Sequence, residues 1–134
     1  KLLLTGGGLK KNYPWVINKG IVSKNNLYNL IYHSKLMCVP LKFGSGTRIK
    51  IIESLSIGAI VLSTKKGIEG IKLKNLKPPF VESDRKIFFR IIRKIIKKNK
   101  SIRKKSMKDK IYYKNLYSMK NITKSFIKKY SNLF

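Results

Sequence analysis

Residues 36–39 (Leu-Met-Cys-Val) and 59–62 (Ala-Ile-Val-Leu) are two continuous apolar runs that bracket a glycine-rich loop and a helix-spaced set of isoleucines. This strand, loop, helix, strand order constrains the fold more than any other feature. Short apolar runs without alternation are the mark of strands buried on both faces, as in parallel sheets. Two such strands joined through a helix make a right-handed βαβ crossover. Pro40 ends the first run. Ile49, Ile51, Ile52 and Leu55 then set the helix. Its length, its Glu53 and its polar flanks argue for helix, although isoleucine is not the best helix former. Gly58 stands where a left-handed C-terminal cap belongs.

The flanks extend the pattern. Residues 1–5 read as a strand running into Gly6, Gly7 and Gly8, and residues 9–14 as a polar loop. Residues 16–22 read as a second strand interrupted by Gly20, where a bulge or a nearby ligand is expected. Ser23 is a candidate N-cap for a short helix over residues 24–33, spaced by Leu27, Leu30 and Ile31. Residues 72–79 read as a polar link, and Phe80 and Val81 as a short strand. From Asp84, a candidate N-cap, the pattern turns helical. Ile87/Phe88, Ile91/Ile92 and Ile95/Ile96 form one apolar stripe on a basic helix. Ser101 is expected to cap a helix carrying Ile102, Ile111, Tyr112 and Leu116. Ser118 is expected to cap a last one carrying Met119, Ile122, Phe126 and Tyr130. The stripes of these helices are read as core faces, with a membrane-lying face as the alternative for residues 84–99, whose polar side carries lysines and arginines. The fold class is α/β, a parallel sheet with flanking helices and an all-helical end.

The charge balance is extreme: 32 Lys+Arg against 5 Asp+Glu, a formal net charge of +27. One reading is a phosphate-rich partner, either nucleic acid or an anionic membrane surface. The other is codon drift, since Lys, Ile and Asn abound and Ala is nearly absent. Drift leaves the physics in place: a surface this basic adheres to polyanions, screened over about 8 Å at physiological salt. A nucleic-acid module would interleave aromatic with basic residues on one surface. Tyr112, Tyr113 and Tyr117 fit that loosely and fit helix packing as well, so no specific nucleic acid is expected. The single Cys38 excludes an intrachain disulfide and a cysteine metal site, and is read as a small core residue. His33 is likewise alone and is read as a surface residue. No apolar run is long enough to span a bilayer. The chain starts at Lys1 inside an apparent strand, so it is expected to be part of a longer polypeptide.

The loop 43–48 carries the chemistry. Gly44 and Gly46 admit a ligand close to the backbone, while Ser45 and Thr47 offer hydroxyls. The loop feeds a helix N-terminus, where free N–H groups and the dipole favour an anion. Arg48 adds a planar fork suited to phosphate, and Lys50 a second positive charge. The loop is neither a P-loop nor a dinucleotide fingerprint, because both spacings fail. The competing reading is a plain glycine turn with Thr47 as N-cap. Glu53, one of five acids, sits in the most apolar helix and is expected to share a face with the loop. A buried carboxylate needs partners, since breaking a buried pair costs about 3–5 kcal/mol. Vicinal ribose hydroxyls would suit it; a salt bridge to Arg48 or Lys50 is the alternative.

Pro-Leu-Lys-Phe-Gly-Ser-Gly-Thr-Arg-Ile-Lys-Ile-Ile-Glu-Ser-Leu, residues 40–55, followed by Gly58, Ile60-Val61 and the loop from Ser63 through Gly67-Ile68-Glu69-Gly70, resembles the donor-binding signature of family 4 glycosyltransferases of GT-B fold. The strand into Gly6, the Gly20-Ile21-Val22 segment and the Tyr117-Ser118-Met119 helix start are similar to its flanks. The resemblance implies a Rossmann-like, nucleotide-sugar-binding C-terminal domain over residues 1–134, one half of a GT-B fold, with 84–134 as its helical part. An N-terminal acceptor domain of the same polypeptide would supply the other wall of the cleft. It implies that Glu53, matching the second Glu of the family's Glu-x7-Glu motif, holds the donor ribose. Gly44, Ser45, Gly46, Thr47, Arg48 and Lys50 would serve the diphosphate and sugar, and Gly20, Ile21 and Val22 would lie near the nucleobase. Ser45 replaces the first Glu of the motif, which puts a carboxylate contact to the transferred sugar in doubt. The family is usually metal-independent and retaining, so no metal or other cofactor is expected, and the catalytic residues are not assigned. The acceptor expected is a cell-envelope glycan or lipid. The location expected is cytoplasmic, with peripheral contact at the inner face of an anionic membrane. This chain alone would be inactive. A basic nucleic-acid- or membrane-binding module without catalysis is the alternative.

Overall fold

Each strand among the described residues is only two or three residues long, so packing rather than ladder length holds the sheets. The computed structural model describes residues 1–7, 13–73 and 79–131. The chain runs β1 (Leu2–Leu4), β2 (Val16–Asn18), α1 (Lys24–His33), β3 (Met37–Val39), α2 (Ile49–Ser56) and β4 (Val61–Ser63). A 3₁₀ turn (Lys66–Ile68), β5 (Phe80–Val81), α3 (Arg85–Lys97), α4 (Asn99–Leu116) and α5 (Met119–Tyr130) complete it. The protein is mixed α/β with parallel pairing.

The strands form two small parallel sheets. β1 pairs with β2, setting Leu2 opposite Val16 and Leu4 opposite Asn18. The other sheet has the order β3-β4-β5, with Met37 opposite Val61 and Ser63 opposite Val81. The second strand stops at Asn18 instead of running to Val22. The Gly20 N–H turns back onto Asn18 Oδ1 at 3.0 Å, and the Gly20 carbonyl accepts from the Gly6 N–H at 2.7 Å. The Asn18 side chain thus takes the Gly20 N–H, while the Gly20 carbonyl still bonds to the end of the first strand segment. Gly8, most of the 9–14 loop and most of the 72–79 link lie outside the described residues.

β4 is fully buried, as the apolar run 59–62 that leads into it requires, and α2 lies against it. Ile51 and Leu55 of α2 meet Val61, Ile71 and Tyr113 in one cluster, edged by Met37, Val39, Ile52 and Tyr117. The buried face of α4 departs from the apolar spacing of the sequence. Ile111 and Tyr112 are exposed, while Ser106, Asp109 and Tyr113 point inward. Ser106 fits because its hydroxyl donates to the Ala59 carbonyl at 2.8 Å, and Tyr113 because its ring fills the space over α2. Ser101 is no cap: α4 begins at Asn99, one residue after α3 breaks at Lys98.

Three other caps stand where the sequence places them. Ser23, Asp84 and Ser118 accept from the N–H groups of Asn26, Ile87 and Asn121. α3 buries Phe88 and Ile95 but leaves Ile87 and Ile96 exposed, so only half of its paired stripe is core. No described side chain of α5 is buried: Met119, Ile122 and Phe126 face solvent. The expectation that this stripe is a core face is overturned, because nothing among the described residues covers it. Among the described residues no helix is long and apolar enough to cross a membrane.

Gly58 closes α2 with φ +79°, and an added Cβ would collide with the Met107 side chain of α4. Gly58→Ala is therefore expected to destabilise the protein by about 1–3 kcal/mol. The urea unfolding midpoint should fall with the slope unchanged.

Candidate functional site at the strand ends

All three strands of the larger sheet point the same way, so the segments after β3, β4 and β5 gather at one end. Ligands of open parallel sheets bind at that end. Two residues at the end of β4 sew these segments together. The Ser63 hydroxyl reaches the Val39 carbonyl at 3.2 Å. The Thr64 hydroxyl donates to the Leu41 carbonyl at 2.5 Å and accepts from the Gly67 N–H at 3.1 Å. A Cβ at Gly67 would strike Ser63 Oγ, so the turn approaches the strand too closely for any side chain. On the far side, the Lys65 N–H donates to Ser83 Oγ at 3.2 Å, linking the segments after β4 and β5. Glu82 Oε1 accepts from the Ser83 and Asp84 N–H groups at 2.7 and 2.8 Å and thereby organises the start of α3.

The two glycine loops named in the sequence meet here. A Cβ added at Gly70 would lie 3.2 Å from Thr47 Oγ1. Phe43, Gly44, Ser45, Gly46 and Thr47 line this open end, and Phe43 is 83% exposed. Thr47 is not the N-cap of α2. Arg48 occupies that position, and its side chain makes no capping bond. Arg48 instead folds back: Nη1 donates to the Ser45 carbonyl at 2.5 Å, and the guanidinium lies over Gly44, where a Cβ would displace it. Its Nε is buried without a hydrogen-bond partner among the described residues. Gly44 therefore makes room for the arginine. Lys50 is exposed on the first turn of α2.

Glu53 is half-buried, with its side chain 28% exposed. It does not pair with Arg48 or Lys50. Its carboxylate turns to α1, where Oε1 accepts from the Tyr28 hydroxyl at 2.7 Å and lies 3.9 Å from Lys24 Nζ. The reason is geometric: Arg48 is committed to the loop and Lys50 is exposed, whereas α1 packs beside α2. Gly20, Ile21 and Val22 shortly precede α1, and Ile21 is 89% exposed. The segment read as the nucleobase region and the acid read as the ribose ligand are thus attached to the same short helix. Tyr28 and Lys24 were not singled out from the sequence. Their signal was an i, i+4 pair on the polar side of the 24–33 helix, with Lys24 Nζ 5.6 Å from the centre of the Tyr28 ring.

Cys38 is half-buried in β3, and burial pushes its thiol pKa up. His33 is exposed at the end of α1, its ring edge-on to Tyr32. Among the described residues no three His, Cys, Asp or Glu side chains cluster as a metal site.

The chain was compared with family models, curated proteins and solved structures, and it matches none of them.

The Tyr28 hydroxyl is held above its ordinary pKa of 10.0, first by its hydrogen bond to Glu53 and then by burial. A raised folded value stabilises the protein fully below the unfolded pKa, and that contribution is lost as pH rises through the folded one. Wild type should therefore exceed Tyr28→Phe in denaturant midpoint at neutral pH. The gap should close when the pH passes beyond the tyrosine range.

Proposed function

We propose that the chain binds a nucleotide-diphosphate sugar and forms the donor half of a glycosyltransferase of the GT-B type that its 40–70 segment resembles. On this reading the Rossmann-like sheet of that fold corresponds to the two parallel sheets together. The observation that carries the proposal is the meeting of the 43–48 and 64–70 loops at the carboxyl ends of parallel strands, with Glu53 half-buried on the intervening helix.

The chemistry follows from the parts. Sugar transfer expels a nucleoside diphosphate, so negative charge grows on the leaving group. A helix N-terminus, loop amides and a guanidinium are the groups that stabilise such charge. Ser45, Gly46, Thr47 and Lys50 surround that position, and Arg48 reaches it by leaving the Ser45 carbonyl. Glu53 takes the ribose hydroxyls, and Gly20 to Val22 border the base. An acceptor domain of the same polypeptide, the partner implied by the resemblance, closes the cleft and supplies the reacting groups that this chain lacks on this reading. The acceptor proposed is a cell-envelope glycan or lipid. Donor binding in this scheme needs no metal or other cofactor.

Calorimetry on the full-length polypeptide tests the assignment. Glu53→Ala should weaken a nucleoside diphosphate about 10-fold or more while leaving inorganic pyrophosphate nearly unchanged, as expected for a lost hydrogen bond to a charged group. Arg48→Ala should weaken both. Equal losses for the two ligands in Glu53→Ala would refute the ribose role.

One observation favours a second reading, contact with an anionic membrane surface. Met119, Ile122, Phe126 and Ile127 are exposed on α5, and Lys120, Lys124 and Lys128 flank them on the same helix. Apolar residues flanked by lysines suit the headgroup boundary of a bilayer. Co-sedimentation with phosphatidylglycerol vesicles should be lost in a Lys120→Glu, Lys124→Glu double variant and absent with phosphatidylcholine alone. Equal binding to both lipids would remove this reading.

A further inference from the structure

Two side chains of α1 converge on a single carboxylate oxygen of α2. Tyr28 donates to Glu53 Oε1 at 2.7 Å, and Lys24 Nζ approaches the same atom at 3.9 Å. These contacts are unequal. The Lys24 side chain is 73% exposed, and an exposed ion pair at that distance contributes little. A hydroxyl bonded to a carboxylate is a charge-assisted hydrogen bond of ordinary short length, and it has direction. Oε2 takes part in neither contact.

We propose that Tyr28 is a positioning residue for donor recognition: it clamps Glu53 by Oε1 so that Oε2 is aimed at the ribose hydroxyls. This rests on the ribose reading of Glu53 and adds the residue that makes it selective. Glutamate has three rotatable side-chain bonds, and ordering them when ligand arrives costs free energy. A carboxylate already held by one oxygen has met that cost before binding. The clamp also has a fixed base. α1 starts at Lys24 under the Ser23 cap, directly after Gly20, Ile21 and Val22, and its polar side carries Tyr28 one turn later. The element that borders the base therefore orients the acid that reads the sugar. A donor lacking ribose hydroxyls gains nothing from this arrangement, so Tyr28 sharpens discrimination between ribose and its deoxygenated analogues.

A purely structural Tyr28 would pin α1 to α2 and nothing more, so the readout must be a ratio between ligands. On the full-length polypeptide, calorimetry would compare ADP, GDP and UDP with their 2′,3′-dideoxy analogues in wild type, Tyr28→Phe and Glu53→Gln. The phenylalanine keeps the ring and removes only the hydroxyl. Tyr28→Phe is expected to reduce the preference for the ribonucleotide by about 3- to 10-fold, the effect of ordering one side chain, with dideoxy affinity unchanged. Glu53→Gln is expected to reduce it further. A preference that falls in Glu53→Gln but stays at the wild-type value in Tyr28→Phe would overturn the positioning role and leave the ribose reading intact. Equal loss of both ligand classes in Tyr28→Phe would make Tyr28 structural and overturn the proposal too. A wild type with no ribose preference would overturn the ribose reading and the proposal with it.

Discussion

Ile51 and Leu55 of α2, pressed between β4 and Tyr113 of α4, hold the rest of the molecule in place. α2 is at once the crossover that sets β3 parallel to β4, the carrier of Glu53 and the platform for the helical end. With strands this short, hydrogen-bond ladders alone would not fix the sheet. Burial of α2 does, at about 1.5–3 kcal/mol for each large side chain fully removed from water. The polar contacts around it are directional supplements. Ser106 meets the Ala59 carbonyl, and the Tyr117 hydroxyl accepts from the Lys72 N–H at 2.7 Å, so the helical end is tied to both sides of β4.

This packing divides the site into rigid and adjustable parts. The segments after β3, β4 and β5 are joined by Ser63, Thr64 and Ser83 through bonds to backbone groups, which leaves them little freedom. The 43–48 loop is different. It is largely exposed, and its main tether is the guanidinium of its own Arg48. An anion entering the loop competes with one carbonyl for that guanidinium, and a phosphate is the stronger acceptor.

The parts of the fold legible in the sequence were those fixed by local rules. β4 and its burial follow from an unbroken apolar run, three of the helix caps from Ser or Asp before a helical spacing, and the end of α2 from Gly58. Tertiary competition decided the rest. Asn18 diverted the backbone that would have extended β2, which no pattern of apolar residues announces. Ser106 takes the inner face of α4 that Ile111 does not reach, because a helix packed against a strand end needs a donor and a small volume there. At the site, the glycines and Glu53 were legible by residue type, but the partner of Glu53 was not. The sequence offers two cations within α2 and its N-terminal loop, and the carboxylate instead selects a tyrosine twenty-five positions upstream.

The solvent-facing α5 has a consequence of its own. Its twelve residues have a Ser118 cap and lysines in the last turn, but no buried side chain among those described. An isolated helix of that length is marginal in water. Its amide protons should therefore exchange with solvent through local opening, long before those of α2, whose opening requires taking apart the core. Two tiers of cooperativity are thus expected in one chain: a unit that unfolds as a whole around β4, and a last helix that melts separately until something covers its apolar side.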